Sequence, residues 1–290
     1  MTAGTLPARI PSEPVTFAGR DGVRLAGDAR GDPRDRPVVL LHGGGQTRHA
    51  WGATASALAR RGWYALSLDL RGHGDSAWAP DGDYSVDALV ADLRCVVGRL
   101  HAPPAIVGAS LGGITALLAE GEAAVPASRA IVLVDVAPRV ERPGVDRILR
   151  FMRGKPEGFA SLEEAADAVA AYNPHRPRPA DTTGLRKNLR KGPDGRYRWH
   201  WDPAVIGGER RPNATQDPER MEAAARRLTV PVLLVRGRLS DLLSEEGARA
   251  FLALVPHAAY ADVSDAGHMV AGDRNDAFTR AVVDFLAGVR

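Results

Sequence analysis

The stretch PAIVGASLGGITALLA, residues 104–119, decides how the rest of the chain is read. It begins as a short continuous apolar run, the pattern of a strand buried on both faces. It ends as a run with helical character, and between the two stands Ser110 in the pattern G-x-S-x-G, Gly108 to Gly112. A serine at such a junction is either an ordinary helix cap or a nucleophile held in a strained strand-to-helix turn. The second arrangement brings the residues two positions either side of the serine into close backbone contact, which glycine tolerates because it has no Cβ. It also leaves Oγ clear of the sheet, at a helix N-terminus that favours developing negative charge.

Working outward, similar apolar runs recur at VVLL (38–41), WYALSL (63–68), AIVLVDV (130–136), PVLLV (231–235) and, more weakly, AYADV (259–263). Helix-like segments separate them, among them SVDALVADLRCVVGRL (85–100), SEEGARAFLALV (244–255) and DAFTRAVVDFLAGV (276–289). Repeated strand–helix alternation predicts an α/β fold with a doubly wound parallel sheet. Val15 to Ala29, with RDG between two extended runs, predicts a hairpin ahead of it.

One interval breaks the rhythm. Between Asp135 and Pro231 no buried strand is evident, and GVDRILRFMRG, SLEEAADAVAAY and TTGLRKNLRKG read as helices. Ser161 with Glu164 three residues on is a capping-box pattern. A structureless loop of that length is uncommon in a compact domain. The expectation is a core formed by 1–137 and 230–290, with a helical cap, 138–229, packed on it.

Composition narrows the function classes. The 38 Lys and Arg nearly balance the 35 Asp and Glu, for a net charge of +3, and no basic block with interleaved aromatics appears. Nucleic-acid binding is therefore not expected. The single cysteine, Cys95, excludes an intrachain disulfide and reads as a small hydrophobe on an amphipathic helix. No run approaches the about 20 apolar residues of a membrane span, and the N-terminus lacks the apolar centre of a signal peptide. A soluble, cytoplasmic protein without membrane association is expected.

A serine hydroxyl needs a base to take its proton, and the base should lie late in the chain with an acid between. His268, in DAGHMVAGD after the last apolar run, has that place. His101, His257, His175 and His73 fit it less well. For the acid, Asp241 follows the buried run PVLLV in RGRLSDLLS, where it could orient an imidazole. Asp135, closing AIVLVD one strand earlier, is the competitor, and Asp265 is too local to His268. The oxyanion of acyl transfer needs backbone donors. LLHGGG (40–45) supplies them, and the expected pair is the N–H groups of Gly44 and Leu111; His42 is read as a structural hydrogen-bonding residue.

These segments together, LLHGGGQTRHAW, LSLDLRGHGDS, VGASLGG, LLVRGRLSDLLS and DAGHMV, resemble the α/β-hydrolase superfamily along nearly the whole chain. The resemblance implies an eight-stranded, mostly parallel sheet flanked by helices, a helical cap inserted after the sixth strand, and Ser-His-Asp catalysis without cofactor or metal. Many members place the acid three residues after the strand-end glycine. Asp241 is four after Gly237, a departure that keeps Asp135 in contention. Haloalkane dehalogenases and epoxide hydrolases of this fold carry aspartate at the elbow, so Ser110 argues against both.

The expected activity is hydrolysis of a small, largely apolar carboxylic ester or lactone through an acyl-serine. Carbon–carbon bond hydrolysis or metal-free perhydrolysis by the same three residues are the enzymatic alternatives; a ligand receptor on the same fold is the non-enzymatic one. Pockets of open α/β folds lie beyond the strand C-termini. Phe151, Met152, Tyr172, Trp199 and Trp201 are accordingly the candidates to line an apolar substrate pocket, or else to form the cap's own small core.

Overall fold

In the computed structural model, residues 10–174, 178, 180–213, 217–264, 266–268 and 275–289 are described. The apolar runs form the strands. β3 (Arg36–Leu41), β5 (Ala105–Ala109), β6 (Ala130–Val134) and β9 (Val232–Gly237) are buried almost throughout, as strands covered on both faces must be. With β1 (Glu13–Ala18), β2 (Arg24–Arg30), β4 (Trp63–Leu68) and β10 (Ala259–Val263) they make an eight-stranded sheet in the order β1-β2-β4-β3-β5-β6-β9-β10. β1 and β2 pair antiparallel, as do β2 and β4, and every later pairing is parallel.

Side-chain alternation assigns the two layers. Val39, Leu41, Ile106 and Leu133 face one side, where α2 (Val86–Val97), α3 (Leu111–Gly121), α7 (Pro218–Arg226) and α8 (Glu245–Leu254) pack. Val38, Leu40, Val107 and Val132 face the other, against Ala55 and Leu58 of α1 (Gly52–Ala59) and Phe278, Val282 and Leu286 of α9 (Asn275–Ala287). From β3 the chain moves first to β4 on one side and then to β5 on the other. The loops after β3 and β5 thus meet at the switch point of the sheet, where open α/β folds place their ligands.

Between β6 and α7 lie α4 (Arg142–Arg153), α5 (Leu162–Tyr172), a 3-10 turn (Thr183–Asn188), a hairpin of β7 (Leu189–Lys191) and β8 (Tyr197–Trp199), and α6 (Ala204–Gly207). They carry two small apolar clusters, one of which also takes in Ala79 and Tyr84 from the segment after β4. Ser161 Oγ accepts the Glu164 N–H, while Glu164 reaches back to the Ala160 N–H, one residue before the expected partner.

The expected boundaries differ in two respects. TTGLRKNLRKG is helical only over Thr183–Asn188, as a 3-10 helix, and then becomes β7, because Asp194-Gly195, with Gly195 at φ +78°, turns the chain back on itself. The expected cap 138–229 also ends too late. Met221, Ala224 and Ala225 of α7 are buried in the principal core beside α3, so this helix belongs to the core layer. Cys95 is only partly buried on α2. Among the described residues no helix is long and apolar enough to cross a membrane.

Candidate active site

Ser110 sits between β5 and α3 at φ 47°, ψ −113°, a backbone conformation that L-residues seldom adopt. The flanking glycines make it possible. A Cβ on Gly108 would lie 2.3 Å from the Gly112 carbonyl oxygen, and one on Gly112 would lie 2.5 Å from that of Leu41. The turn is fastened by the Ser110 N–H to the Val134 carbonyl (3.1 Å) and by the Ile114 N–H to the Ser110 carbonyl (2.9 Å).

The carboxylate against His268 is that of Asp135, the competitor, and not that of Asp241 as expected. His268 Nδ1 lies 2.7 Å from Asp135 Oδ2, with the two side chains 8% and 0% exposed. Asp135 also has positive φ, 52°, at the end of β6. Its carboxylate collects two further donors, the Gly237 N–H on Oδ1 (3.1 Å) and the Ser240 hydroxyl on Oδ2 (2.5 Å). A buried carboxylate is tolerated when its oxygens are satisfied in this way.

The physical reason for the difference is the turn after β9. The Ser240 N–H bonds to the Gly237 carbonyl, which aims Ser240 at the acid and leaves Asp241 outside. The Asp241 carboxylate instead pairs with Arg147 of α4 at 2.8 Å, half-exposed. Asp265 lies outside the described residues, as does His175.

The loops after β3 and β4 are tied down by three buried histidines, each of which accepts a backbone N–H. His42 Nε2 accepts from Leu70 (3.0 Å), while its Nδ1 donates to the Gly43 carbonyl (2.8 Å). His73 Nε2 accepts from Gly45 (3.2 Å), and His200 Nδ1, reaching down from the cap, accepts from Gly74 (2.7 Å). An acceptor nitrogen must be unprotonated, and the environment agrees. Burial, reinforced by the nearby His42 ring, pushes His73 down to about 3. Burial also lowers His42, and lowers His200 with help from His73 and His42.

Gly43 N–H is taken by Gln46 Oε1 (3.3 Å) and Gly45 N–H by His73, with Gly44 between them. Leu111 opens α3, where the backbone N–H has no acceptor within the helix. Gly44, Leu111, Ser110 and His268 all line one cavity of about 1050 Å³ under the cap.

Of the five apolar cap residues named from the sequence, Phe151, Met152, Tyr172 and Trp199 line this cavity. Trp201 does not: it is buried behind Trp199, its ring stacked at 5.1 Å between centroids. Phe151 and Tyr172 stack at 4.2 Å. His200, between the two tryptophans, turns the other way, toward the loop of His73, whose ring centroid lies 5.9 Å off. That loop, DLRGHGDS, is fixed by the buried pair of Arg71 and Asp92 (2.6 Å). His257 bonds the Val230 carbonyl and is remote from the site in role.

Ser240, His73, His200 and Arg147 were not singled out for these roles by sequence. Position 240 had one available signal, its spacing of three from Gly237.

Comparison with known proteins agrees with this architecture. The model of the alpha/beta hydrolase family matches residues 38–281. Esterase Rv0045c of Mycobacterium tuberculosis is 31% identical over 87% of this chain and 82% of its own length. The 3-hydroxybutyrate-oligomer hydrolase of Cupriavidus necator is 31% identical over 84% of this chain and 87% of its own. A solved structure of the Mycobacterium tuberculosis esterase superposes with a TM-score of 0.75 at 28% identity, covering 99% of this chain and 94% of the other. With the elbow, the sheet order and these relatives in agreement, the chain belongs to the alpha/beta hydrolase family, among its esterase-like members.

Proposed function

We propose that the protein is a serine hydrolase that cleaves a carboxylic ester or lactone through an acyl-serine. The observation that carries the reading is the buried Asp135–His268 pair, which opens on the same cavity as a serine at a strained elbow. Asp135 holds Nδ1 of the imidazole as a donor, so Nε2 is the nitrogen left to act as base. His268 accepts the proton of Ser110 as Oγ attacks the carbonyl. The resulting oxyanion is met by the N–H groups of Leu111 and Gly44, fixed before the reaction begins. His268 then protonates the departing alkoxide. It next takes a proton from water, whose oxygen attacks the acyl carbon, and returns that proton to Ser110 as the acid leaves.

Two relatives, named an esterase and an oligomer hydrolase, support ester bonds as the target. The apolar wall of Phe151, Met152, Tyr172 and Trp199 supports a substrate with a substantial hydrocarbon part. The test is turnover of nitrophenyl esters together with labelling by a fluorophosphonate probe, in wild type and Ser110→Ala. Wild type is expected to react in both assays and the folded variant in neither. Undiminished turnover by Ser110→Ala would overturn the assignment.

A further inference from the structure

The cavity that Ser110 lines has an uneven charge. Five cationic side chains line it, Arg142, Arg153, Arg178, Lys187 and Arg211, against two carboxylates, Asp146 and Asp181. The chain as a whole has 38 basic and 35 acidic side chains, so this imbalance is local.

Nor is it masked by ion pairing. Several arginines nearby that face elsewhere are paired, Arg147 with Asp241, Arg139 with Glu222 and Arg198 with Asp194, although Arg150 and Arg186, also outside the lining, have no carboxylate partner among the described residues. Among the cavity cations Arg178 has Asp167, whereas Arg142, Arg153 and Lys187 have no carboxylate partner among the described residues. Among the described residues Arg211 bonds a backbone carbonyl, that of Gly208, and no carboxylate. Arg142 and Arg153 stand at opposite ends of α4, roughly 16 Å apart along its axis. Lys187 comes from the 3-10 turn ahead of the hairpin. All five are exposed, so the positive charge is spread where the cavity meets solvent. Uncompensated charge of one sign beside low-dielectric walls focuses its field into a cleft and raises the local concentration of counter-charged substrate.

The same cavity carries a hydrocarbon surface, with Ile148, Leu149 and Leu185 alongside the aromatic residues, beside the polar side chains of Gln46, Thr47, Asn173 and Asn188. We infer that the substrate is an ester with an anionic group, such as a carboxylate, separated from the scissile carbonyl by an apolar spacer. The spacer lies along the hydrocarbon wall and the anion meets the cationic mouth. This deepens the serine-esterase reading and rests on it.

The test compares p-nitrophenyl half-esters of the straight-chain dicarboxylic acids from adipic to sebacic with neutral p-nitrophenyl alkanoates of matched length. Shorter half-esters are avoided because their own carboxylate attacks the ester. The readout is the ratio of kcat/KM, anionic to neutral, at about 20 mM and about 500 mM NaCl. Wild type is expected to favour the anionic series by about tenfold at low salt, and to lose most of that advantage at high salt. Arg142→Glu, Arg153→Glu and Lys187→Glu should each lower the ratio. Arg139→Glu, at a paired arginine outside the cavity, should leave it as in wild type. A ratio near or below one, or one indifferent to salt and to all three reversals, overturns the inference while leaving the esterase reading standing. Failure of wild type to cleave either series overturns the esterase reading itself.

Discussion

The hydroxyl of Ser240 donates a 2.5 Å hydrogen bond to Oδ2 of Asp135, the same oxygen that receives the imidazole of His268. Residue 240 is three positions after Gly237, where the family resemblance leads one to look for the acid. Here a serine occupies that position and braces the carboxylate of Asp135, which follows β6. It also accepts the N–H groups of Leu242 and Leu243, so its hydroxyl is fixed in direction. Ser240→Ala should lower kcat by about tenfold, the scale of one hydrogen bond to a charged group, while KM changes little. Steady-state kinetics on one good ester decides the matter. A kcat equal to wild type would mean that the serine only shapes the turn.

Asp135 and Asp241 should respond very differently to amidation. Asp135→Asn removes the charge that holds the imidazole in its tautomer, and a loss in kcat on the order of 10⁴ is expected. Asp241→Asn breaks a half-exposed pair with Arg147, for about 1 kcal/mol of stability or less, and turnover should stay within a few-fold of wild type. Parallel kinetics and urea titrations of the two variants separate these outcomes. The reverse ordering would return the acid to β9.

The contrast between these aspartates explains what could be read from sequence. Strands buried on both faces are written locally, as continuous apolar runs, and so is the elbow, because the crowding at Gly108 and Gly112 must be relieved by glycine. The acid is not written locally. Asp135 directly follows one buried strand and Asp241 lies four residues beyond another, and the choice depends on which way one turn after β9 points its side chains. His73 and His200 are less legible still. Each accepts an N–H from a loop 28 or 126 residues away, a relationship that leaves no pattern around the histidine itself. The cap hairpin escaped for another reason. Its strands are three residues long, too short to display alternation.

The histidine cluster makes stability depend on pH. His42, His73 and His200 are all held below the ordinary imidazole value, with His73 down to about 3. In the unfolded chain each titrates near 6.5. Between those values the unfolded state binds more protons, so stability is complete above about pH 6.5 and falls as pH drops toward the folded values, by up to about 1.4 kcal/mol per pH unit for each histidine. Urea midpoints measured from pH 8 to pH 5 should therefore decline steadily on the acid side. In His73→Gln the decline should be shallower, since the amide oxygen can still accept an N–H but has no proton to gain. An equally steep decline in that variant would assign the acid sensitivity elsewhere.

Trp199 and Trp201 lie face to face, yet only the first meets the cavity, and their replacement should separate specificity from stability. Trp199 also touches Phe151 at 5.4 Å and Phe159 at 5.1 Å between ring centroids, so it joins the cavity wall to the cap's inner cluster. Trp199→Ala enlarges the cavity on its hydrocarbon side, and the acyl-chain optimum should move to longer chains. Trp201→Ala leaves a void behind an intact wall. It should cost about 3–5 kcal/mol, the range for a buried aromatic truncated in a packed core, with the chain-length optimum held. A chain-length panel beside thermal unfolding of both variants provides the comparison. If Trp201→Ala shifts the optimum as far as Trp199→Ala does, the stacked pair acts as one wall, and packing behind the cavity sets specificity as strongly as contact within it.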